Sequence, residues 1–215
     1  MSLTLYFHPL SSFCQKVLVA LYENDTPFTP HIVDLGDKAQ AAALKALWPI
    51  GRFPVLRDDA RDRTIPESTI IIEYLSRYYP GPSQLVPADA DLAFEMRARD
   101  RLFDLYVEEP MQKIVGDRRR PAEAKDLLGV KQARSRLQAA YDIIEADMAN
   151  RTWALGDTFT LADCGAAPAL FYANLAEPFG EHRNVAAYFD RLSERPSYAR
   201  VRQEAEPYFG LFPKA

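Results

Sequence analysis

The sequence predicts an α/β plus all-α protein, with a mixed α/β domain followed by an all-helical domain. In the first eighty residues, runs with strand composition alternate with runs of helical periodicity in the order βαβαββα. A proline-rich stretch then begins with Pro-Gly-Pro at 80–82, and the segments after it are helical in spacing or composition. We therefore divide the chain into a domain at 1–80, a linker at 81–90 and a helical domain at 91–215.

The elements of the α/β part follow from composition and spacing. β-branched and aromatic residues favour strands, whereas Ala- and Leu-rich or amphipathic runs favour helices. In the segment that starts with SFCQK, the apolar residues recur with a helical period. The predicted strands are 3–7, 29–35 and a hairpin of 54–58 with 63–68, and the predicted helices are 12–24, 38–47 and 68–79.

The helical part is predicted from longer periodic segments. Residues 91–116 read as one helix that Pro110 should kink, because a proline removes one backbone hydrogen bond. In TFTLADC, Thr160 is predicted to cap a helix, Asp163 to close the capping box and Phe159 to pack on Cys164. The other predicted helices are 124–149, 161–176, 185–194 and 198–206.

Composition argues against several classes of protein. The 215 residues carry a net charge of -4, whereas a broad nucleic-acid surface needs clustered excess Lys and Arg. No apolar run approaches the ~18 residues of a transmembrane helix, and the N-terminus lacks the pattern of a signal peptide. Cys14 and Cys164 lie far apart, as in proteins of a reducing compartment. We therefore expect a cytoplasmic protein without nucleic-acid or membrane partners.

A metal site is not expected either. His8, His31 and His182 are too widely separated to form a local ligand cluster, and the chain contains no H-E-x-x-H sequence.

SSFCQK, residues 11–16, resembles a C-x-x-C redox helix in which Ser11 replaces the attacking cysteine and Cys14 holds the resolving position. Ser12 with Gln15 fits a capping box, so Ser12 is predicted to be the N-cap. Ser11 would then lie just outside the helix, where its hydroxyl can donate to an anion beside the positive dipole end. Cys14 is predicted to be a small buried residue.

Two further stretches each allow two interpretations. Pro54, at the start of a predicted strand, is either an ordinary edge residue or part of a cis bond, and base rates favour the trans form. Ser68 is either the N-cap of the next helix with Glu67 as a solvated acid, or the pair binds a zwitterion. In the second case, helix-end amides and Ser68 take a carboxylate while Glu67 takes an ammonium.

Together and in this order, the Ser/Cys loop, the G-x-x-P of residues 51–54 and the Glu-Ser pair resemble the glutathione transferase family. The resemblance extends to TFTLADC and covers nearly the whole chain. It implies a thioredoxin-like N-terminal domain and a helical C-terminal domain. The loop has neither a cysteine at Ser11 nor a suitably spaced tyrosine, since Tyr6 lies within the first predicted strand. The chain therefore looks like a serine-type bacterial member, nearest to the theta and zeta patterns.

The resemblance also implies roles for single residues. Ser11 and Ser12 are the catalytic candidates, with Ser11 as the donor to the thiol of glutathione. Arg52 would bind the glycyl carboxylate, and Phe53 and Pro54 would pair with the cysteinyl backbone. The resemblance further implies that glutathione is the co-substrate and that the protein is a homodimer. The γ-glutamyl end would be bound by Glu67, Ser68 and, across the dimer, Asp104.

The second substrate is expected between the domains, as a small hydrophobic electrophile. Its candidate pocket residues are Leu10, Phe103, Tyr106, Met111, Ile114, Val115, Phe171, Tyr208, Phe209 and Phe212. Two alternatives to transfer remain open at this point. The same site could serve glutathione-dependent isomerase or peroxidase chemistry, or the fold could act as a non-catalytic partner-binding module.

Overall fold

The computed structural model describes residues 2–213. Its N-terminal part contains four strands and three helices in the predicted order. The predicted boundaries differ from the observed ones by one to three residues at some ends, where helices and strands fray. The strands are β1 (Leu3–Phe7), β2 (Thr29–Ile32), β3 (Val55–Asp58) and β4 (Arg63–Pro66), and the helices are α1 (Ser12–Glu23), α2 (Lys38–Leu47) and α3 (Ser68–Tyr78).

The four strands form one mixed sheet in the order β2-β1-β3-β4. β1 runs parallel to β2 and antiparallel to β3, and β3 and β4 form the predicted hairpin. Parallel strands need a crossover connection, and α1 supplies it between β1 and β2. This connection places the N-terminus of α1 directly after the carboxyl end of a central strand.

α1 is buried on most of its surface, from Cys14 to Leu21, because it packs against elements from both halves of the chain. It contacts α3 of the sheet domain and two helices of the helical part. The helices after residue 80 are α4 (Ala90–Leu102), α5 (Glu109–Arg118), α6 (Leu127–Met148), α7 (Leu161–Ala176), α8 (Arg183–Glu194) and α9 (Pro196–Ala205).

The predicted single helix at 91–116 is instead three consecutive segments. A π-helical stretch, Phe103–Glu108, joins α4 to α5, and Pro110 lies in the first turn of α5. Pro110 has no backbone N–H to donate, so the hydrogen-bond ladder has to change near it. Wider turns of this kind often occur at functional sites, and this one brings Asp104 and Glu108 to buried positions.

The two halves share one hydrophobic core, which runs from β1 and α1 into α7 and α8. Within the predicted linker, Leu85 is buried and its carbonyl accepts a 2.8 Å hydrogen bond from the N–H of Leu161. The linker is therefore packed against the helical part. Whether residues 1–80 and 91–215 fold as independent domains stays a prediction.

The predicted capping box of α7 is confirmed. Asp163 Oδ2 accepts from the Thr160 N–H at 2.8 Å, and its other oxygen accepts from the Ala154 N–H and the Tyr188 hydroxyl. Burial raises the pKa of Asp163 in spite of these donors. Within residues 2–213, no helix is both long enough and apolar enough to span a membrane.

Candidate active site

Ser11, not Ser12, caps α1, so the prediction for Ser12 was wrong. Ser11 has extended backbone angles, and its Oγ accepts from the Cys14 N–H at 3.4 Å. Ser12 is already the first helical residue, and its hydroxyl donates to the Glu108 carboxylate. Gln15 closes no capping box, because its amide donates to Pro9 O and the Tyr172 hydroxyl at 2.8 and 3.1 Å. Partners far along the chain have replaced the local bonds that the sequence suggested.

In its role as the cap of α1, Ser11 keeps its own hydroxyl hydrogen available for a ligand. As the cap, Ser11 uses an oxygen lone pair, and within residues 2–213 its hydroxyl donates to no acceptor. Ser11 is partly exposed, whereas Ser12 is buried. The helix dipole places partial positive charge at the same point. Ser11 can therefore donate a hydrogen bond to an anionic ligand, while the hydrogen of Ser12 is already committed to Glu108.

Cys14 is inert, as predicted. Its side chain is fully buried, and burial raises the pKa of the thiol to about 12, while the neighbouring Ser11 side chain and the His8 backbone lower it by less. A thiol in this state is almost entirely protonated at neutral pH and is a poor nucleophile. A thiol-disulfide enzyme that uses Cys14 does not fit this environment.

A cleft of about 850 Å³ lies beside the N-terminus of α3. It brings together Arg52, Glu67, Ser68 and Asp104, four of the residues predicted for glutathione. Glu67 holds the N-cap position with a positive φ of 69°, an uncommon and strained conformation for a residue other than glycine. Ser68 is the first helical residue, so the interpretation in which it caps α3 was wrong.

No side chain in the described part of the chain caps α3. The first-turn N–H groups of a helix have no acceptor within the helix, and here they belong to Ser68, Thr69 and Ile70, which line the cleft. Glu67 is exposed beside them. The cleft therefore offers free amides next to a carboxylate, which is the arrangement that an α-amino acid group fits.

Phe53 and Pro54 directly precede β3, and neither is among the residues that line the cleft. The Phe53–Pro54 peptide bond is cis, the less common of the two forms that the sequence left open. The Phe53 ring stacks near His8 with 6.1 Å between centroids, and His8 in turn meets Tyr208 edge-on at 5.4 Å. Pairing of the Phe53 backbone with a cysteinyl group stays a prediction.

Asp104 belongs to a buried ionic cluster that sequence reasoning missed. Lys16 Nζ lies 2.5 Å from Asp100 Oδ1 and 2.9 Å from Asp104 Oδ1, and it donates to Thr69 Oγ1 at 3.0 Å. Arg101 adds a second cation on the solvent side. Burial raises the pKa of Asp104, and the nearby Lys16 opposes that rise. The carboxylate is thus engaged within its own chain, and the predicted role across a dimer stays a prediction.

A second cavity of about 320 Å³ lies directly beside Ser11. It has both apolar and polar walls and shares Gln112 with the cleft, so the two spaces adjoin. Four of the predicted pocket residues line it, namely Leu10, Met111, Val115 and Phe212.

The other predicted pocket residues lie elsewhere. Phe103 and Ile114 are buried in the core, and Phe171 packs edge-on against Phe209. Tyr106 is 49% exposed, and Tyr208 lines a separate groove. Spacing alone does not separate a helix face that fills the core from one that borders a cavity.

Sequence reasoning missed Glu108, which also lines the cavity. Burial raises the pKa of this carboxyl to about 7, and hydrogen bonds from Ser12 and Gln112 lower it less than burial raises it. Glu108 and Glu109 precede Pro110 in the sequence, and such a pair usually marks a solvated helix start. No group of three His, Cys, Asp or Glu side chains in residues 2–213 is placed to hold a metal ion.

Comparisons with known proteins point to one family. Family models described as "Glutathione S-transferase, N-terminal domain" and "Glutathione S-transferase, C-terminal domain" match residues 5–83 and 96–191. Glutathione S-transferase 3 of Zea mays is 30% identical, covering 93% of this chain and 92% of its own. Glutathione S-transferase GstB of Escherichia coli is 26% identical, covering 93% and 97%. A stringent starvation protein A homolog of Haemophilus influenzae is 28% identical, covering 95% and 92%.

Solved structures show the same fold. A glutathione S-transferase of Methylobacillus flagellatus with glutathione bound has a TM-score of 0.84 at 23% identity, covering 93% of this chain and 98% of its own. One of Methylobacterium radiotolerans in complex with glutathione sulfonate has a TM-score of 0.81 at 26% identity, covering 99% and 95%.

Proposed function

Because the chain belongs to the glutathione S-transferase family, we propose that it binds glutathione in the cleft and activates the thiol for attack on a small hydrophobic electrophile. One observation carries this proposal. Ser11 lies at the N-terminus of α1, beside the second cavity, with its hydroxyl hydrogen unused within the described residues. A donor at a positive helix end stabilises a thiolate, which is the reacting species.

The groups of the cleft suit the ends of glutathione. The free amides of α3 and the Ser68 hydroxyl suit the γ-glutamyl carboxylate, and Glu67 suits its ammonium. Arg52, exposed on the same cleft, suits the glycyl carboxylate. With its ends held in this way, the tripeptide would extend its cysteinyl part toward Ser11.

The energy required of Ser11 is modest. A free thiol with a pKa of about 8.5 is only about 3% ionised at pH 7. Lowering that pKa by about two units needs about 2.7 kcal/mol of differential interaction. One hydrogen bond to a charged group contributes about 1.5–3 kcal/mol, and the helix dipole adds to it. Most of the bound thiol would then be thiolate at neutral pH.

A second candidate is a non-catalytic partner-binding module, because some relatives are named stringent starvation protein A homologs and not transferases. The enzyme is preferred because a scaffold needs neither a free hydroxyl at α1 nor uncapped amides in an open cleft. Isomerase or peroxidase chemistry would use the same site, and a panel of electrophiles assayed with glutathione distinguishes these activities from transfer.

The first test is glutathione binding by calorimetry. We expect Glu67→Gln to raise the dissociation constant about tenfold or more, because it removes a charge-assisted hydrogen bond worth about 1.5–3 kcal/mol. Glu194→Gln, an equal change of charge at an exposed site on α8, is the control and should leave affinity unchanged. Equal affinities of Glu67→Gln and the control would contradict the site. Absence of binding by the unmodified protein would contradict the function itself.

We also propose that the chain is a homodimer through α3 and α4. Ile70, Phe94 and Leu105 are 51%, 72% and 42% exposed. Ile70 and Leu105 line the cleft, and Phe94 lies one helical turn before Arg97, which also lines it. Exposed apolar side chains that cluster in this way mark interaction surfaces. Sedimentation should give a dimer at micromolar concentration and a monomer for Phe94→Glu. Leu128→Glu, at an equally exposed apolar site on α6, should stay dimeric, and a monomeric unmodified protein would overturn the proposal.

A further inference from the structure

Glu108 is a buried acid in the wall of the cavity beside Ser11. It ends the π-helical segment, is 1% exposed and lines the cavity with Ser11 and Ser12. Its Oε1 accepts from the Ser12 hydroxyl and, at 2.9 Å, from Gln112 Nε2. Its Oε2 has no hydrogen-bond partner among the described residues. Buried polar atoms are nearly always paired, so an unpaired, buried oxygen on a residue that lines a cavity calls for a role.

The surroundings of Glu108 leave it able to gain or lose a proton near neutrality. Its pKa is raised to about 7, first by burial and also by Asp104, while Ser12, Gln112 and Lys16 lower it. Tyr172 of α7 and Tyr198 of α9 also lie within electrostatic reach, and Arg119 borders the same cavity at an exposed position. The acid and carboxylate forms are therefore both populated near neutral pH, which suits a general acid.

We propose that Glu108 is a catalytic acid that protonates the product of thiolate addition to an activated alkene, such as an α,β-unsaturated carbonyl compound. This proposal rests on the proposed function, since the thiolate is that of bound glutathione. It deepens that function by naming the class of electrophile that the cavity is built for.

The step balances without a further reactant. The glutathione sulfur forms a bond to the β-carbon, the C=C π bond breaks, and its electron pair moves toward the carbonyl oxygen. The Glu108 O–H bond then breaks and its proton passes to the enolate, giving a saturated thioether. The proton that the thiol lost on ionisation returns to the Glu108 carboxylate through solvent at the cavity mouth. The net reaction is the addition of one thiol to one alkene.

Substitution on a haloarene does not require a proton donor. There the sulfur–carbon bond forms and a halide leaves with its electron pair, so no proton has to be supplied to the product. Loss of the Glu108 acid should therefore impair alkene addition far more than haloarene substitution. This difference gives the experiment an internal reference for folding and for glutathione activation.

The experiment compares 4-phenyl-3-buten-2-one with 1-chloro-2,4-dinitrobenzene, each with glutathione. We expect Glu108→Gln to lower the ratio of enone to haloarene kcat/KM at least tenfold. Glu123→Gln, an exposed acid outside both cavities, should leave the ratio unchanged. An unchanged ratio in Glu108→Gln, or an unmodified protein that reacts with the haloarene but not with the enone, would overturn the proposal and leave the transferase function intact. Failure with both electrophiles would overturn the function.

The pH profile of the unmodified protein tests the role without any substitution. Enone turnover should fall as the pH rises above about 7, where Glu108 loses its proton, whereas haloarene turnover should not fall. In Glu108→Gln, this descending limb should disappear for the residual enone activity. A descending limb that both substrates share, or that neither shows, contradicts a proton donated by Glu108.

Discussion

Lys16→Met is expected to destabilise the protein by about 3–5 kcal/mol, the cost of removing one partner from a buried ionic group. Lys16 is 1% exposed and lies between the carboxylates of Asp100 and Asp104. Methionine fills similar space but leaves the two carboxylates facing each other without the buried cation. Arg101, with a half-exposed side chain, screens them only in part.

The fold makes room for Lys16 at the crossing of α1 and α7. A Cβ atom on Gly165 would lie 3.2 Å from Lys16 Cε and 3.4 Å from Asp100 Oδ1, so only glycine admits this close approach without a shift. Through Thr69, the cluster also connects α1 with α3, which borders the cleft proposed for glutathione. Unfolding of Lys16→Met should therefore begin at a lower denaturant concentration, and glutathione affinity should fall with it.

The measurement is denaturant unfolding followed by circular dichroism. Arg97→Met is the matched control, because Arg97 also connects α3 with α4, through Glu73, but in a pair that is largely exposed. Such pairs contribute about 0–1 kcal/mol. If Lys16→Met costs no more than Arg97→Met, the buried cluster does not hold the two halves of the chain together.

The sequence predicted the fold well because local patterns determine most of its elements. The β1–α1–β2 crossover, the β3–β4 hairpin and the capping box of Thr160 all arise from neighbouring residues. Order and approximate boundaries could therefore be inferred from periodicity and caps. The spacing of apolar residues also predicted α3, and the Glu67–Ser68 pair was recognised at its start.

The chemistry of the site was harder to predict because its partners lie far apart in sequence. Ser12 fits a local cap, yet its hydroxyl donates to Glu108, 96 residues later. Lys16 reads as a polar residue on a helix, yet its ion-pair partner Asp104 is 88 residues away. A charged residue within an otherwise apolar helix was the available signal for Lys16. For Glu108, only the π-helical turn before Pro110 reveals the burial, and the sequence does not specify that turn.

Ser11→Ala is expected to lower turnover at neutral pH by about 10- to 100-fold. The change removes one hydrogen bond to the thiolate, worth about 1.5–3 kcal/mol, so the pKa of bound glutathione should rise by about one to two units. It should also cost about 1 kcal/mol of stability, because Ser11 and not Ser12 caps α1. The thiolate absorbance of bound glutathione as a function of pH measures the first effect, and denaturant unfolding measures the second.

Two further variants separate the roles of Ser11. Ser11→Thr keeps both the cap and the donor, so it should restore the thiol pKa and the stability together. Ser11→Asp keeps the cap but offers only acceptors and a like charge, so it should be stable and have a thiol pKa at least as high as that of Ser11→Ala. Ser12→Ala should leave the thiol pKa near its original value, because its hydrogen bond goes to Glu108. If Ser12→Ala raises that pKa while Ser11→Ala does not, Ser12 is the donor to the thiolate. The assignment of Ser11 as that donor would then be wrong.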